Sequence, residues 1–524
     1  MPCCMPSPRF PRTSCKPLSS ASPLPSWCFS AVGTPPDAVY SFKHALVKDT
    51  AHSSLLRSSR QRLHAQIAEA FEAHFPELME NQPELFAQHY AEAGLAERAV
   101  AYWSRAGRRS VTRSAMAEAA AQFQRALDQL ALLPDSLERQ QQELEFHSSL
   151  GAALLVVKGV AAPETGQAYA RARALWEHLG SPTAFLQIPW GQSNYHAFRG
   201  EFDWAQRLDE DLLRLSRQRN DSAGLVLAHN SSGRNLMLAG RFASSRSRLE
   251  EAFALYDPVS HRALVHQIGF YPHVNAQAFL GIALFCLDFP DQALARTSTA
   301  ITETRRLAHP PSLALTLTTG TKLLWLVGDN AALEDQADEL IAVATEQGFP
   351  LWRALGTIYR GCVKVNDGDV AEGISLLRGG LAAYRATGAE RFMSHYTALL
   401  AKASEIAGQT EEAVTQLDDA LHIVERTGER WFAAEVNRHK GQLMLRQGHS
   451  QAAEELYAKA LSIAREQEAK LWELRAAVSL ARLRRDQHGH AEARDLLAPV
   501  YDWFTEGFET PDLREAQALL DELA

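Results

Sequence analysis

Apolar residues recur along this chain at spacings of three and four. Leu355, Ile358, Tyr359 and Cys362 form one set, and Ile374, Leu377, Leu381 and Tyr384 form the next. Forty residues on, Val414, Leu417, Leu421 and Val424 repeat the second set. Such spacing puts side chains on one face of an α-helix. Between the stripes glycine returns on a beat of 40: Gly328, Gly368, Gly408 and Gly448, with His488-Gly489 on the next. Gly240 and Gly200 keep the same step after one slip of eight residues. Gly348, Gly388 and Gly428 mark the other end of the unit. The pattern predicts helix pairs turning near residues 200, 240, 288, 328, 368, 408, 448 and 488, and two or three looser pairs over 89–180.

Each unit carries further marks. An aromatic stands sixteen residues before each turn: Trp352, Phe392, Phe432 and Trp472. These read as core residues rather than as a ligand cage. Small residues recur mid-helix at Ala300, Gly380, Ala420 and Ala460, where a neighbouring helix can approach closely. Asn330, Thr410 and Ser450 bring capping chemistry to the start of the second helix, and Glu411-Glu412 suit its positive end. One pair with one apolar face per helix cannot bury both faces alone, so the pairs must stack. The glycine and alanine positions resemble those of tetratricopeptide repeats, with each helix nearly a turn longer than the standard unit. The expected fold is all-α, a right-handed superhelical solenoid of about 40-residue helix-turn-helix repeats, elongated and curved. A solenoid of another helical class is the alternative.

Composition narrows the function. A 524-residue chain with 46% apolar and 8% aromatic residues supports a packed core. The formal charge is −9, and the acid-free first 36 residues leave the rest more acidic still, which argues against nonspecific nucleic-acid binding. The most apolar stretch, Leu280 to Leu287, is of helix-core size and predicts no membrane span. Cys286 and Cys362 lie in apolar segments and read as reduced core thiols. Cys3, Cys4, Cys15 and Cys28 match no zinc spacing, so no metal and no cofactor is expected, and a cytoplasmic location fits.

Residues 1–36 stand apart. They hold nine of the 23 prolines and four of the six cysteines and show no helical period. They read as a disordered tail, a targeting peptide, or an out-of-frame segment, the last being preferred. The slip region holds Asp257-Pro258, Tyr271-Pro272, His261, His266 and His273. Its prolines predict a helix boundary or a long loop, and its histidines read as solvated or capping groups rather than zinc ligands, with a ligand-sensing feature as the alternative. Arg105, Arg108, Arg109 and Arg113 read as a solvated helix face.

Several separated motifs carry a family resemblance. The first is Tyr40-Ser41-Phe42-Lys43-His44-Ala45-Leu46-Val47, and Leu63-His64-Ala65-Gln66-Ile67-Ala68-Glu69 follows. Gln82-Pro83-Glu84-Leu85, Lys158-Gly159-Val160, Pro290-Asp291-Gln292-Ala293 and the run Trp503 to Asp512 continue it. Together they resemble the region after the nucleotide-binding module in bacterial signal-transduction ATPases of the STAND class. The likeness is greatest to those joined to class III adenylate/guanylate cyclases, and it covers roughly 33–524. It implies a remnant of a winged-helix-like element at 37–88 and a repeat superhelix at 89–524. It also implies a nucleotide-phosphate contact for His44 when an ATPase core is supplied. In place of that core stand residues of unrelated composition, which reads as a truncated or frame-disrupted copy. No Gly-x-x-x-x-Gly-Lys-[Ser/Thr] loop occurs, so His44 alone reads as a polar helix residue and no catalytic residue is assigned. The expected role is a non-catalytic sensor arm holding a protein, peptide or small effector in its groove, without nucleic acid or membrane. A cyclase or ATP-binding role through the family, and the repeat arm of a transcription regulator, are the alternatives.

Overall fold

The structure, a computed structural model, describes residues 29–32, 39–42, 54–182 and 185–524. His44 and Cys3, Cys4, Cys15 and Cys28 lie outside the described residues. The chain divides into two compact units, Met1–Trp103 and Ser104–Ala524. That division falls inside a helix, fifteen residues beyond the 88/89 boundary expected from the sequence.

In the first unit two strands, β1 (Phe29–Val32) and β2 (Val39–Phe42), pair antiparallel in the register Phe29↔Phe42 to Val32↔Val39. The helical reading did not anticipate them. Three helices follow: α1 (Arg57–His74), α2 (Pro76–Asn81) and α3 (Pro83–Ala93), and then the start of α4 (Ala96–Thr112). Prolines at the first helical position open α2 and α3, where a missing N–H costs nothing. Phe86 stacks on Tyr102 at 5.0 Å, and the Tyr102 hydroxyl donates to Glu72 Oε1 at 2.7 Å.

The second unit is the solenoid. Its helices run α5 (Met116–Leu130), α6 (Leu137–Val157), α7 (Pro163–His178), α8 (Gln187–Phe198), α9 (Phe202–Gln218), α10 (Ser222–Leu238) and α11 (Phe242–Leu255). A short α12 (Leu264–Ile268) sits within the eight-residue slip. The regular beat then resumes with α13 (Pro272–Cys286), α14 (Pro290–Leu307), α15 (Pro310–Val327), α16 (Asn330–Glu346), α17 (Pro350–Asn366) and α18 (Val370–Ala386). It ends with α19 (Met393–Ile406), α20 (Thr410–Thr427), α21 (Ala433–Arg446), α22 (Ser450–Glu466), α23 (Lys470–Asp486), α24 (His490–Tyr501) and α25 (Pro511–Glu522). Each predicted turn joins the first helix of a pair to the second. At 288 and 488 the left-handed turn residue is Asp288 (φ 91°) and His488 (φ 68°) in place of glycine.

Capping differs from expectation. Asn330, Thr410 and Ser450 are the first residues inside their helices, not the caps. Asp329 caps α16 by accepting the Ala332 N–H at 3.1 Å, while Asn330 donates to Asp367 of the next turn at 2.9 Å. Glu411 and Glu412 do lie in the first turn of α20. The small residues work as expected: a Cβ on Gly380 would sit 2.7 Å from Ile358 Cγ1.

First and second helices are buried differently. The second helix α20 buries one stripe, from Ala413 through Leu417 to Ala420. The first helix α19 buries 12 of its 14 residues, and all 15 of α13 are buried. A helix buried on every side must have neighbours on every side. Here they come from the next turn of the superhelix. Glu390 and Arg391 donate their backbone N–H groups to Phe198 O at 2.7 and 3.1 Å. Forty residues on, Arg430 and Trp431 donate in the same way to Leu238 O at 2.8 and 3.0 Å. A Cβ on Gly200 would meet Thr427 Cγ2 at 2.8 Å. Successive turns of the coil therefore touch within this unit, and one apolar face per helix, as read from sequence, understates the first helices.

Candidate functional site: the inner groove and the core behind it

The inner helices carry a ladder of aromatic rings. Trp325 lies 6.2 Å from Phe432, Phe432 stands edge-on to Trp472 at 5.5 Å, and Phe392 meets Trp431 edge-on at 5.5 Å. The four repeat-start aromatics Trp352, Phe392, Phe432 and Trp472 are all buried. The structure thus puts them in the core, at the starts of first helices.

Where the ladder ends, a groove of about 270 Å³ opens. Its walls are α15, α19, α21 and α23, and Pro511-Asp512 lies at one end. Every wall is a first helix. Polar groups there are held in ion pairs. Arg475 forks onto Asp512 at 2.7 and 2.8 Å, reaches Glu435 Oε2 at 3.1 Å, and donates to Leu326 O at 2.9 Å. Arg438 forks onto the same Glu435 at 2.7 and 3.0 Å. Burial would push the Glu435 carboxyl up, but Arg438 and Arg475 beside it hold it at about 2. Glu405 likewise resists burial: hydrogen bonds from His439 at 2.8 Å and Lys402 at 2.8 Å hold it at about 2, and Arg446 also contacts it. Burial lowers His439 itself, and Glu405 counters in part. The floor is therefore a preorganised row of fixed charges, and Lys402 and Gln442 also line the groove.

Other residues singled out in the sequence find structural roles. Gly200, Gly240, Gly328, Gly368, Gly408 and Gly448 all sit at turns with positive φ. His261 is buried and accepts the Asp257 N–H at 3.0 Å, which makes it a turn-capping group. His273 stacks on Tyr256 at 4.2 Å and bonds to Glu303 at 2.9 Å. These two are buried and bonded rather than solvated, and the slip is tied down by them. Cys286 and Cys362 are free and buried, and burial raises the Cys362 thiol to about 12. Among the described residues no cluster of three His, Cys, Asp or Glu side chains is gathered. No helix of the described residues is long and apolar enough to cross a membrane.

The sequence reading passed over Arg234, Lys322 and Arg391, which are buried in the core behind the groove. A signal for two of them existed. Lys322 is the sole charged residue of α15, and Arg234 is the sole Lys, Arg, Asp or Glu of α10.

Against known proteins, no family model matches the chain. An uncharacterized protein of Rhizobium meliloti (strain 1021) is 25% identical over 428 residues, which is 80% of this chain and 41% of that protein. The chain thus spans about two fifths of that relative's length. Among solved structures, a Rap protein complexed with competence and sporulation factor matches 71% of this chain and 99% of its own, with TM-score 0.51 and 11% identity. A STAND protein with a tetratricopeptide repeat sensor, from Pyrococcus horikoshii, matches 76% of this chain and 66% of its own, with TM-score 0.34 and 13% identity. The Rap likeness is one of fold, that of a tetratricopeptide-like helical solenoid.

Proposed function

We propose that this chain is a non-catalytic interaction and regulatory module, whose groove between first helices holds a protein or peptide partner. One observation carries the reading. The groove is walled by four first helices, and its acids and cations are already fixed in ion pairs before any partner arrives. A partner then binds without the cost of ordering those side chains. The solved Rap fold, crystallised with a factor, supports a binding role for such a scaffold.

A finer reading makes the module the sensor arm of a cyclase- or ATPase-type signalling protein. The motifs between Tyr40 and Asp512 support it, as does a relative of which this chain covers two fifths. In that reading residues 37–88 derive from a winged-helix-like element. The strand Val39–Phe42 and helices α1 to α3 supply the kinds of element such a fold uses. His44 would touch nucleotide phosphate only with an ATPase core present.

The test is a peptide-display selection on the purified chain, followed by titration of the selected peptides. Lys402→Ala with Gln442→Ala should weaken binding about tenfold, the scale of one lost anchor contact. Arg385→Ala with Lys459→Ala, on exposed faces of second helices, should leave it unchanged. Equal loss from both pairs, or loss from the second alone, would contradict the groove assignment.

A further inference from the structure

Behind the groove, inside the superhelical turn, lies a largely apolar chamber of about 60 Å³. A buried water takes roughly 10–15 Å³ on this measure, so the space suits a handful of waters or one small ligand group. Its walls come from α6, α8, α10, α13, α15, α17 and α19, with Tyr384 of α18, so helices from distant repeats meet there. Most of the lining is apolar. Into it project three cations: Arg234, Lys322 and Arg391, none more than 3% exposed.

These cations lack the partners that buried charges normally have. Arg391 Nε and Nη2 and Arg234 Nε make no hydrogen bond. The Arg391 guanidinium is flanked by Phe198 and Phe279 at 5.0 Å and Phe392 at 5.2 Å. Lys322 Nζ sits 3.1 Å over the Phe392 ring. Arg234 has one strong bond, to Asn194 Oδ1 at 2.6 Å. Two buried acids stand nearby, and neutral donors occupy both. Glu429 accepts from the Phe392 N–H at 2.5 Å and Ser394 Oγ at 2.6 Å. Asp209 accepts from Ser193 Oγ at 2.6 Å and Asn235 Nδ2 at 2.7 Å. Three cations against two acids leave one positive charge in excess when all are ionised.

We infer that the chamber is a binding site for a small carboxylate, seated on Arg391 and Lys322 with Arg234 beside them. The chemistry selects this class. One negative charge balances the excess, whereas a dianion overshoots it in an apolar enclosure. A planar carboxylate matches the fork of a guanidinium whose donors stand unpaired. The apolar walls accept a short hydrocarbon body. Burial holds Lys322 well below its usual range, and Arg391 opposes its charge while Glu429 favours it. An arriving carboxylate would strengthen the favourable side. This site is separate from the groove and goes beyond the interaction role. It lies at the joint between turns, since the residue that holds the anion also donates its backbone N–H to Phe198 O.

The test uses the full chain in a carboxylate-free buffer at matched ionic strength. Acetate, propionate, butyrate, phosphate and chloride are titrated by calorimetry, with melting followed in parallel. At least one carboxylate should bind with a stoichiometry of one and raise the melting temperature. Lys322→Met and Arg391→Gln should each lose that binding at least tenfold, and Lys322→Met should fold and melt higher than wild type without ligand. The Lys402→Ala, Gln442→Ala pair should retain carboxylate binding, which separates failure here from failure of the groove. Three results overturn the inference: no carboxylate bound, phosphate or chloride bound as well as any carboxylate, or binding unchanged in both chamber variants.

Discussion

The groove and the chamber share two walls, α15 and α19, yet they treat buried charge in opposite ways. Around the groove the buried acids face cations within hydrogen-bonding distance: Glu435 meets Arg438 and Arg475, and Glu405 meets Lys402. In the chamber the acids are spent on neutral donors, and Arg391 Nε and Nη2 and Arg234 Nε meet no acceptor. Paired charges in a partly dry setting form a scaffold that is costly to break and cheap to leave alone. Unpaired ones are a standing cost that folding alone does not justify. The difference separates a surface built to be contacted from a space built to be filled.

The strongest way to break the comparison is to remove one partner from the paired side. Arg475 is 16% exposed at its side chain and holds Glu435 and Asp512 together. Arg475→Met should leave both acids under-compensated and cost about 3–5 kcal/mol of unfolding free energy, read by urea denaturation. A loss below about 1 kcal/mol would mean the pairs are surface-like, and the groove would lose its claim to be preorganised.

On the unpaired side the sign reverses. Lys322→Met keeps the length of the side chain and removes the charge, so it should stabilise the ligand-free chain by about 1–4 kcal/mol near neutral pH. The pH dependence follows from linkage. Lys322 has a lowered pKa in the folded state, so between that value and about 10.4 the unfolded chain binds more protons. Wild-type stability therefore climbs with pH across that window, and the advantage of Lys322→Met shrinks and vanishes above it. Arg391, Glu429, His395 and Tyr396 face the same nitrogen and are present in both chains, so the difference isolates Lys322. A variant less stable than wild type at pH 7 would show that Lys322 already has its counter-charge.

These two predictions also show what the sequence could and could not reveal. The helix pairs were legible because they are local: three-and-four spacing, a glycine every 40 residues and an aromatic sixteen before it all act within one repeat. The burial of first helices on every side was not, because it comes from residues about 190 positions apart, such as Phe198 and Arg391, and no local period records that distance. The caps were misplaced by one residue, since Asn330 has capping chemistry but Asp329 has the geometry. A groove was expected, but its ion pairs could not be read from the sequence. The chamber was missed because a lysine or arginine is ordinarily a solvated residue. Yet α15 carries four threonines, at 316, 318, 319 and 321, whose hydroxyls turn back onto their own helix carbonyls, and no acid. A lone cation in such a helix has no partner within its reach along the helix, and that is a readable warning.

The smallest expected effect tests the closure that makes one space a chamber and the other a groove. Gly200 and Gly408 have nearly the same backbone, with φ of 73° and 77°. An alanine at either must adopt a left-handed conformation, at about 1 kcal/mol. Around Gly408 the new methyl meets nothing within 4 Å, whereas at Gly200 it meets Thr427 Cγ2 at 2.8 Å and Glu390 Oε2 at 3.4 Å, across the joint between turns. Gly408→Ala should therefore cost the backbone term alone. Gly200→Ala should cost more and also speed hydrogen exchange at the Glu390 and Arg391 amides, whose shared acceptor, Phe198 O, lies two residues before the substitution. Loosening that joint opens the chamber's edge, so carboxylate affinity should fall in Gly200→Ala and hold in Gly408→Ala. Equal costs and equal exchange in the two variants would mean that the turns touch without constraining each other, and the chamber would then be no more closed than the groove.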